Sequence, residues 1–145
     1  MEGTFLTWIV AIAGLLIMGI LMAVQFVAVI RPRDRWTIDN VYGGDPESTD
    51  PTAYFAFNRG MAWADVFFWG PLQIAGSIGM LFGQRLGFLL ALAGSVPFIY
   101  SAFLLFIWDR DLGYRKNTLS YWFIWVIFPA YGVVEMVYCV VRLLG

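Results

Sequence analysis

The sequence predicts an all-α, polytopic membrane protein in which four transmembrane helices form a bundle. Of its 145 residues, 61% are hydrophobic and 13% are charged, whereas a soluble domain carries about a quarter charged residues. The mean hydropathy is +0.74. Four stretches of the chain are apolar over about 20 residues, the length that a helix needs to cross a bilayer. We therefore expect residues 1–145 to form a single integral membrane domain.

The first predicted helix covers residues 5–30, where Gln25 is the one fully polar side chain in an apolar run. A cleaved signal peptide has a basic start and an apolar core of about 7–15 residues. This segment begins Met1-Glu2-Gly3-Thr4 and has a longer core. We therefore expect the helix to be retained as a membrane span.

Residues 31–60 are predicted to form one long polar loop. It opens with arginines, is dense in turn-forming residues between positions 40 and 51, and ends in the aromatic segment 53–57. Aromatic side chains of this kind can lie at a membrane interface. A loop of this length is either functional or a linker, and both interpretations stay open.

Three more helices are predicted, over residues 61–82, 86–107 and 118–143. Gly83-Gln84-Arg85 forms a tight turn between the second and third helices. Residues 108–117 form a polar loop, after which Thr118 can cap the fourth helix.

The distribution of basic residues predicts the orientation, because cytoplasmic loops carry an excess of Lys and Arg. Loops 31–60 and 108–117 hold most of the basic side chains: Arg31, Arg33, Arg35, Arg59, Arg110, Arg115 and Lys116. The opposite side holds Arg85 and Arg142. We therefore expect both termini outside and loops 31–60 and 108–117 in the cytoplasm.

The composition excludes several function classes. The chain has no histidine, so it offers no His-ligated haem, zinc or copper, no His general base and no Ser-His-Asp triad. A single cysteine, Cys139, excludes an internal disulfide and a CxxC redox pair. A net charge of −1 provides no basic field that would attract nucleic acid. We expect no catalytic residue, metal or cofactor to be identifiable.

Glu135 is the most informative single residue, because an ionisable group near the middle of a membrane costs about 2.5–3.5 kcal/mol on insertion scales. Tyr131 and Tyr138 share its predicted helix face, and either can hydrogen-bond a carboxyl group in both protonation states. The carboxyl group is either a ligand anchor or proton site, or an interior group that only fixes the rotation of its helix.

Asp65 is the second acidic candidate. It lies one turn inside its helix, so its side chain can instead reach the interface or cap the helix start, where a negative charge interacts favourably with the helix dipole. Trp69, Gln73 and Ser77 lie on the same broad helix face. At a rise of about 1.5 Å per residue, Ser77 and Glu135 reach the same depth, and Gln73 lies one turn lower. Two polar layers are therefore predicted, one of Gln73, Ser77, Ser95, Tyr131 and Glu135 and the other of Gln25, Asp65, Tyr100 and Ser101.

The predicted ligand-binding residues come from these two helix faces and layers. They are Asp65, Trp69, Gln73, Ser77, Ser95, Tyr131, Glu135 and Tyr138.

Small residues recur at every fourth position around the second helix: Ala75, Gly79, Gly83 and Gly87. This spacing lets helix backbones approach closely in a membrane. The partner helix belongs either to the same chain or to a second copy, so a homodimer through Ala75, Gly79 and Gly83 is one prediction.

Three prolines stand inside predicted spans, at Pro71, Pro97 and Pro129. Each removes a backbone donor and is expected to kink its helix. Three kinked helices favour a splayed bundle with a cavity.

The segment Gln73 to Gly87, with a Gly-Gln-Arg turn between two of four short spans, resembles the DoxX-like small membrane proteins. That resemblance implies an accessory subunit of a membrane redox or quinone-linked complex. The long first loop, followed by an acidic residue and a proline in the second helix, is also similar to the sigma-2/emopamil-binding group. That similarity implies a pocket for sterol-like amines.

Three functions are therefore predicted as alternatives. The first is binding or movement of a lipid or other hydrophobic small molecule in an intramembrane pocket, with Glu135 as the polar anchor. The second is an accessory or assembly subunit of a larger membrane complex. The third is a lipid-modifying enzyme that uses Asp65 or Glu135 for proton transfer.

Overall fold

The computed structural model describes residues 3–42, 51–112 and 122–145. These described residues are helical and contain no β-strand, which confirms the all-α prediction. The described ranges contain six α-helices: α1 Phe5–Ile30, α2 Arg35–Asn40, α3 Pro51–Ala64, α4 Gly70–Leu81, α5 Arg85–Leu112 and α6 Phe128–Leu144. Two π-helical turns of five residues lead into α4 and α6, at Asp65–Trp69 and Phe123–Ile127.

Among the described residues, three helical stretches are long and apolar enough to cross a membrane: Phe5–Ile30, Arg85–Ile107 and Phe123–Leu144. Large apolar side chains such as Leu16, Phe103 and Val137 point outward from them. An apolar outer surface on helices of this length is what a lipid environment requires. The structure is therefore compatible with a multi-pass membrane protein. The predicted second span contains the first π turn, which divides it between α3 and α4.

Residues 31–60 contain helices where the sequence predicted one continuous loop. The side chain of Asp34 caps α2 by accepting a hydrogen bond from the Trp36 amide at 3.1 Å. α3 begins at Pro51, and proline suits the first turn of a helix because its missing N–H would have no helical partner there. Residues 43–50 lie outside the described part of the chain.

A small second core holds α2 in place. Ile38 and Tyr42 pack there against Ala28 of α1 and Ala62 of α3. Burial raises the pKa of the Tyr42 hydroxyl, and the positive charge of Arg59 partly offsets this effect. The described start of the connection after α1 is thus packed against α1 and α3.

The predicted end of the third helix lies too early, since α5 continues to Leu112. The predicted start of the fourth helix, with its cap at Thr118, lies outside the described residues. The described part of that helix begins at residue 122 and continues through the second π turn and α6.

The turn between α4 and α5 is built on glycine. Gly83 has a φ of 65°, a conformation that glycine adopts without strain. The Gly83 and Gln84 amides donate to the carbonyls of Met80 and Gly79, each at 2.9 Å, and so close the end of α4.

Small residues on both sides of this turn bring α4 and α5 into backbone contact. A Cβ atom added to Gly79 would lie 2.6 Å from the Cα of Gly87, and one added to Gly76 would lie 2.5 Å from the Ala91 nitrogen. The small-residue spacing is therefore used between two helices of the same chain, whereas Ala75 is exposed. A homodimer through Ala75, Gly79 and Gly83 stays a prediction.

The helices contact one another in the order α1, α4, α5 and α6. α1 and α6 close this arrangement, but they touch over only a short length, which we call the α1/α6 seam. The main core between the helices includes Met18, Met80, Phe88 and Phe98.

Two of the three prolines follow the π turns. Pro71 and Pro129 each stand in the first turn of the α-helix that the π turn leads into. Proline has no N–H to donate. The residue before each proline forms the hydrogen bond of a π-helix, to the carbonyl five residues earlier: Gly70 donates to Asp65 and Phe128 donates to Phe123. Pro97 lies inside α5, which continues past it. The helix irregularities expected at Pro71 and Pro129 are thus π turns that precede these prolines.

Candidate functional site

A fully buried carboxyl group lies where α4, α6 and α1 meet. The Nε2 atom of Gln73 on α4 donates to Oε1 of Glu135 on α6 at 2.7 Å, and the Tyr131 hydroxyl lies 2.6 Å from the same oxygen. The Ser77 hydroxyl is 3.5 Å from the Gln73 Nε2 atom. These four residues, Gln73, Ser77, Tyr131 and Glu135, are the carboxyl cluster.

The two helices that form the carboxyl cluster share one local design. In each of them a π turn is followed by a proline, and the polar residues stand two and six positions after that proline. Residues four apart lie on one face of a helix. Gln73 and Ser77 therefore face Tyr131 and Glu135 from equivalent positions. π turns inside α-helices are frequent at functional sites.

Glycines on the neighbouring helices make space for these polar side chains. A Cβ atom on Gly14 of α1 would lie 2.2 Å from the Tyr131 hydroxyl oxygen and 2.7 Å from Ser77 Oγ. A Cβ atom on Gly94 of α5 would lie 2.0 Å from Gln73 Oε1. Gly14 and Gly94 were not among the predicted site residues, because each opposes a polar residue on another helix and forms no spacing pattern on its own.

The α1 backbone also takes part in the site. The carbonyl oxygen of Val10 lies 3.1 Å from the Tyr131 hydroxyl and accepts a hydrogen bond from it. Backbone carbonyls were not among the predicted groups, because the sequence carries no signal for them.

Two buried acceptor atoms of the cluster have no hydrogen-bond partner among the described residues: Glu135 Oε2 and Gln73 Oε1. Leaving a buried polar atom without a partner costs about 1–3 kcal/mol. Gln73 Oε1 lies on the side of Gly94, whereas Glu135 Oε2 is the unpaired acceptor of the carboxyl group itself.

Tyr138 lies at the α1/α6 seam instead of at the carboxyl group. Its hydroxyl forms hydrogen bonds with the Thr7 hydroxyl and, at 3.1 Å, with the Thr4 hydroxyl. The prediction that both tyrosines bond Glu135 is thus right for Tyr131 and wrong for Tyr138, which sits almost a turn further along α6 and meets the start of α1. Side-chain hydrogen bonds from Tyr131 and Tyr138 join the two helices.

Ser95 and Trp69 are buried, but they bond to α5 backbone carbonyls. The Ser95 hydroxyl donates to the Leu92 carbonyl of its own helix at 2.7 Å, so it does not join the carboxyl cluster as predicted. The Trp69 Nε1–H group donates to the Gly94 carbonyl at 2.8 Å. The indole ring packs edge-on against Phe98, which fixes α4 against α5 just before Gln73.

Of the second predicted polar layer, only Gln25 and Asp65 lie together. Asp65 is buried in the first π turn, and its carboxyl group has Gln25 of α1 as its hydrogen-bonding neighbour. Tyr100 is 62% exposed, and the Ser101 hydroxyl bonds the Phe98 carbonyl of its own helix. The grouping of Tyr100 and Ser101 with Asp65 was therefore wrong, because depth alone does not determine which way a side chain faces.

Arg142 and Cys139 lie beside the site without bonding Glu135. The Arg142 guanidinium stands 5.7 Å from the centre of the Phe88 ring, a cation–π contact. Cys139 is buried with its sulfur 3.9 Å from the Met80 sulfur. Within the described ranges, no group of three or more His, Cys, Asp or Glu residues is placed to hold a metal ion.

In the part of the chain that the structure describes, fold and site together define a helical protein with three helices able to cross a membrane and a carboxyl group buried between helices. Comparison with known protein families, with curated proteins and with solved structures finds no match to the chain. The resemblances to the DoxX-like proteins and to the sigma-2/emopamil-binding group stay predictions.

Proposed function

We propose that this chain is a four-transmembrane-helix protein that binds or moves a lipid or other hydrophobic small molecule, with Glu135 as its polar anchor. One observation carries the proposal: Glu135 Oε2 is a buried carboxyl oxygen that lacks a hydrogen-bond partner among the described residues. Buried polar atoms are nearly always paired, and an ionisable residue inside a membrane is by default a functional candidate.

The α1/α6 seam is the route by which a ligand from the bilayer reaches Glu135. α4 and α5 touch through glycine backbones, whereas α1 and α6 are joined by the hydroxyl groups of Tyr131 and Tyr138. Hydrogen bonds of this kind contribute only about 0.5–1.5 kcal/mol each. We therefore expect the seam to separate at lower cost than the glycine contact between α4 and α5.

In addition to the three long apolar helices, this proposal needs the predicted span at residues 61–82. That segment covers the end of α3, the first π turn and α4. Phe67 and Phe68 in the π turn are 60% and 74% exposed. Adjacent exposed aromatic side chains are unfavourable in water and are expected where the neighbour is lipid. α4 also packs between α1 and α5, both of which are long enough to span a bilayer.

With the four spans proposed here, we expect both termini on the same side of the membrane, and we expect the arginine-rich first loop in the cytoplasm, because cytoplasmic loops carry an excess of basic residues. We expect alkaline phosphatase fused after Gly145 to be active in bacterial cells, because the fusion is exported. Green fluorescent protein at the same position should stay dark. Bright fluorescence with inactive phosphatase would contradict this topology, and adding one known transmembrane helix before each reporter should reverse both signals.

Native mass spectrometry of the protein released from a mild detergent tests the ligand. We expect a reproducible bound mass beyond detergent on the wild-type protein. Glu135→Met keeps the side-chain volume but removes both carboxyl oxygens, so it should lose that mass. Ser95→Ala is the matched control, since it removes a buried hydroxyl that bonds only its own helix. Equal retention by Glu135→Met, or no bound mass on any variant, would contradict the proposal.

A further inference from the structure

The hydrogen bonds around Glu135 require a proton that an ionised carboxylate does not have. The Tyr131 hydroxyl lies 2.6 Å from Glu135 Oε1 and 3.1 Å from the Val10 carbonyl oxygen. Both are acceptors if Glu135 is ionised, but a tyrosine hydroxyl has a single hydrogen to donate. One of the two short contacts would then join two oxygen atoms with no hydrogen between them.

A protonated carboxyl group satisfies both contacts. Glu135 Oε1–H then donates to the Tyr131 oxygen, and the Tyr131 O–H group donates to the Val10 carbonyl. The Gln73 amide stays within hydrogen-bond distance of Oε1 at 2.7 Å. There the Gln73 Nε2–H group donates to Oε1, since a carboxylic acid hydroxyl oxygen accepts one hydrogen bond while it donates another.

The groups that face Glu135 from each helix carry no opposite charge to hold an anion. Gln73 of α4 and Tyr131 of α6 bond the carboxyl group, the Val10 carbonyl of α1 bonds the Tyr131 hydroxyl, and Cys139, one turn along α6, is a buried thiol. Arg142 stacks on the Phe88 ring, and no ion pair of Glu135 occurs within the described ranges. A buried carboxylate without a charged partner is strongly disfavoured.

We propose that Glu135 is a neutral carboxylic acid in the folded protein, and that the carboxyl cluster selects an uncharged lipid alcohol whose hydroxyl group donates to Glu135 Oε2. With the proton on Oε1, Oε2 is a carbonyl-type acceptor that needs a donor. A cationic amine would instead require the ionised carboxylate. The ligand class rests on the proposed function, whereas the protonation state of Glu135 can be measured without any ligand.

Infrared spectroscopy of the protein in liposomes tests the protonation state at neutral pH. We expect a C=O stretching band of a protonated carboxyl group that disappears in Glu135→Gln and persists in the control Asp65→Asn. Tyr131→Phe should keep the band but move it to higher frequency, because the acceptor of the Glu135 proton is gone. If Glu135→Gln removes no such band, or Tyr131→Phe leaves it unmoved, the neutral state is wrong.

Three probes with one alkyl chain test the ligand class in native mass spectrometry: dodecanol, dodecyl methyl ether and dodecylamine. We expect dodecanol to be retained about tenfold better than the ether, the effect of one buried hydrogen bond. Dodecylamine should be retained no better than the ether. Preference for the amine, or equal retention of alcohol and ether, would overturn this inference and leave the proposed function standing. Failure to retain any probe, together with no native bound mass, would overturn both.

Discussion

Gly87→Ala is expected to lower the free energy of unfolding by about 1–3 kcal/mol or more, because it overfills a contact that has no room. The added Cβ would lie 2.3 Å from the carbonyl carbon and 2.5 Å from the Cα of Gly79. Both atoms belong to the backbone, so no side chain can rotate away. α4 and α5 must separate, and this separation also loosens the turn at Gly83.

Thermal unfolding in detergent, followed by size-exclusion chromatography of the heated samples, measures this effect. Gly19→Ala on α1 is the matched control, since no atom lies within 4 Å of the added Cβ. Alanine is more favourable than glycine inside a helix by about 0.5–1 kcal/mol, so this control should be unchanged or slightly more stable. If the two variants unfold at the same temperature, α4 and α5 do not touch as described.

Glu135→Met is expected to destabilise the protein by about 1–3 kcal/mol for each polar group that loses its partner. The substitution conserves volume, so little of the effect comes from a cavity. Gln73 Nε2 loses its acceptor at 2.7 Å, and Tyr131 keeps only the Val10 carbonyl. The loss therefore reports the energy of leaving Gln73 Nε2 with only its 3.5 Å contact to the Ser77 hydroxyl.

Adding Gln73→Met should recover part of this stability. The double variant replaces the polar pair by two apolar side chains of similar size, which is often close to neutral when both partners are removed together. The same unfolding measurement on Gln73→Met, Glu135→Met and the double variant completes a thermodynamic cycle. Additive losses in the double variant would show that Gln73 and Glu135 are not coupled, contrary to the 2.7 Å contact.

The sequence identified the main components of the site. A rise of about 1.5 Å per residue predicted Glu135 and Ser77 at one depth with Gln73 a turn away, and Gln73 and Glu135 are hydrogen-bonded. It failed for Tyr100, because depth along a helix does not specify rotation about its axis. It also failed for Tyr138, because a shared helix face does not determine which neighbouring helix a side chain meets. Tyr138 turns to Thr7 of α1, and Tyr100 faces outward.

Rotation in the two polar helices depends on the π turns before Pro71 and Pro129. A proline signals an irregular turn, but the sequence does not say whether the helix kinks or widens. Here the wider turns at Asp65–Trp69 and Phe123–Ile127 precede the segments that present Gln73 and Glu135 to each other. Predicting a kink at these prolines was not enough to predict that Gln73 and Glu135 face each other.

By itself, the sequence determined that this protein is helical and apolar, with helices long enough to cross a membrane and an acid at mid-helix. Those properties follow from composition, run length and the fixed rise of a helix, all of which are local. Only the tertiary structure decided that Gly79 meets Gly87 inside one chain, that Gly14 and Gly94 make room for the carboxyl cluster, and that Tyr131 reaches the Val10 carbonyl. These contacts join residues distant in sequence, and their geometry depends on how the helices rotate and cross, which no periodicity within a single helix encodes.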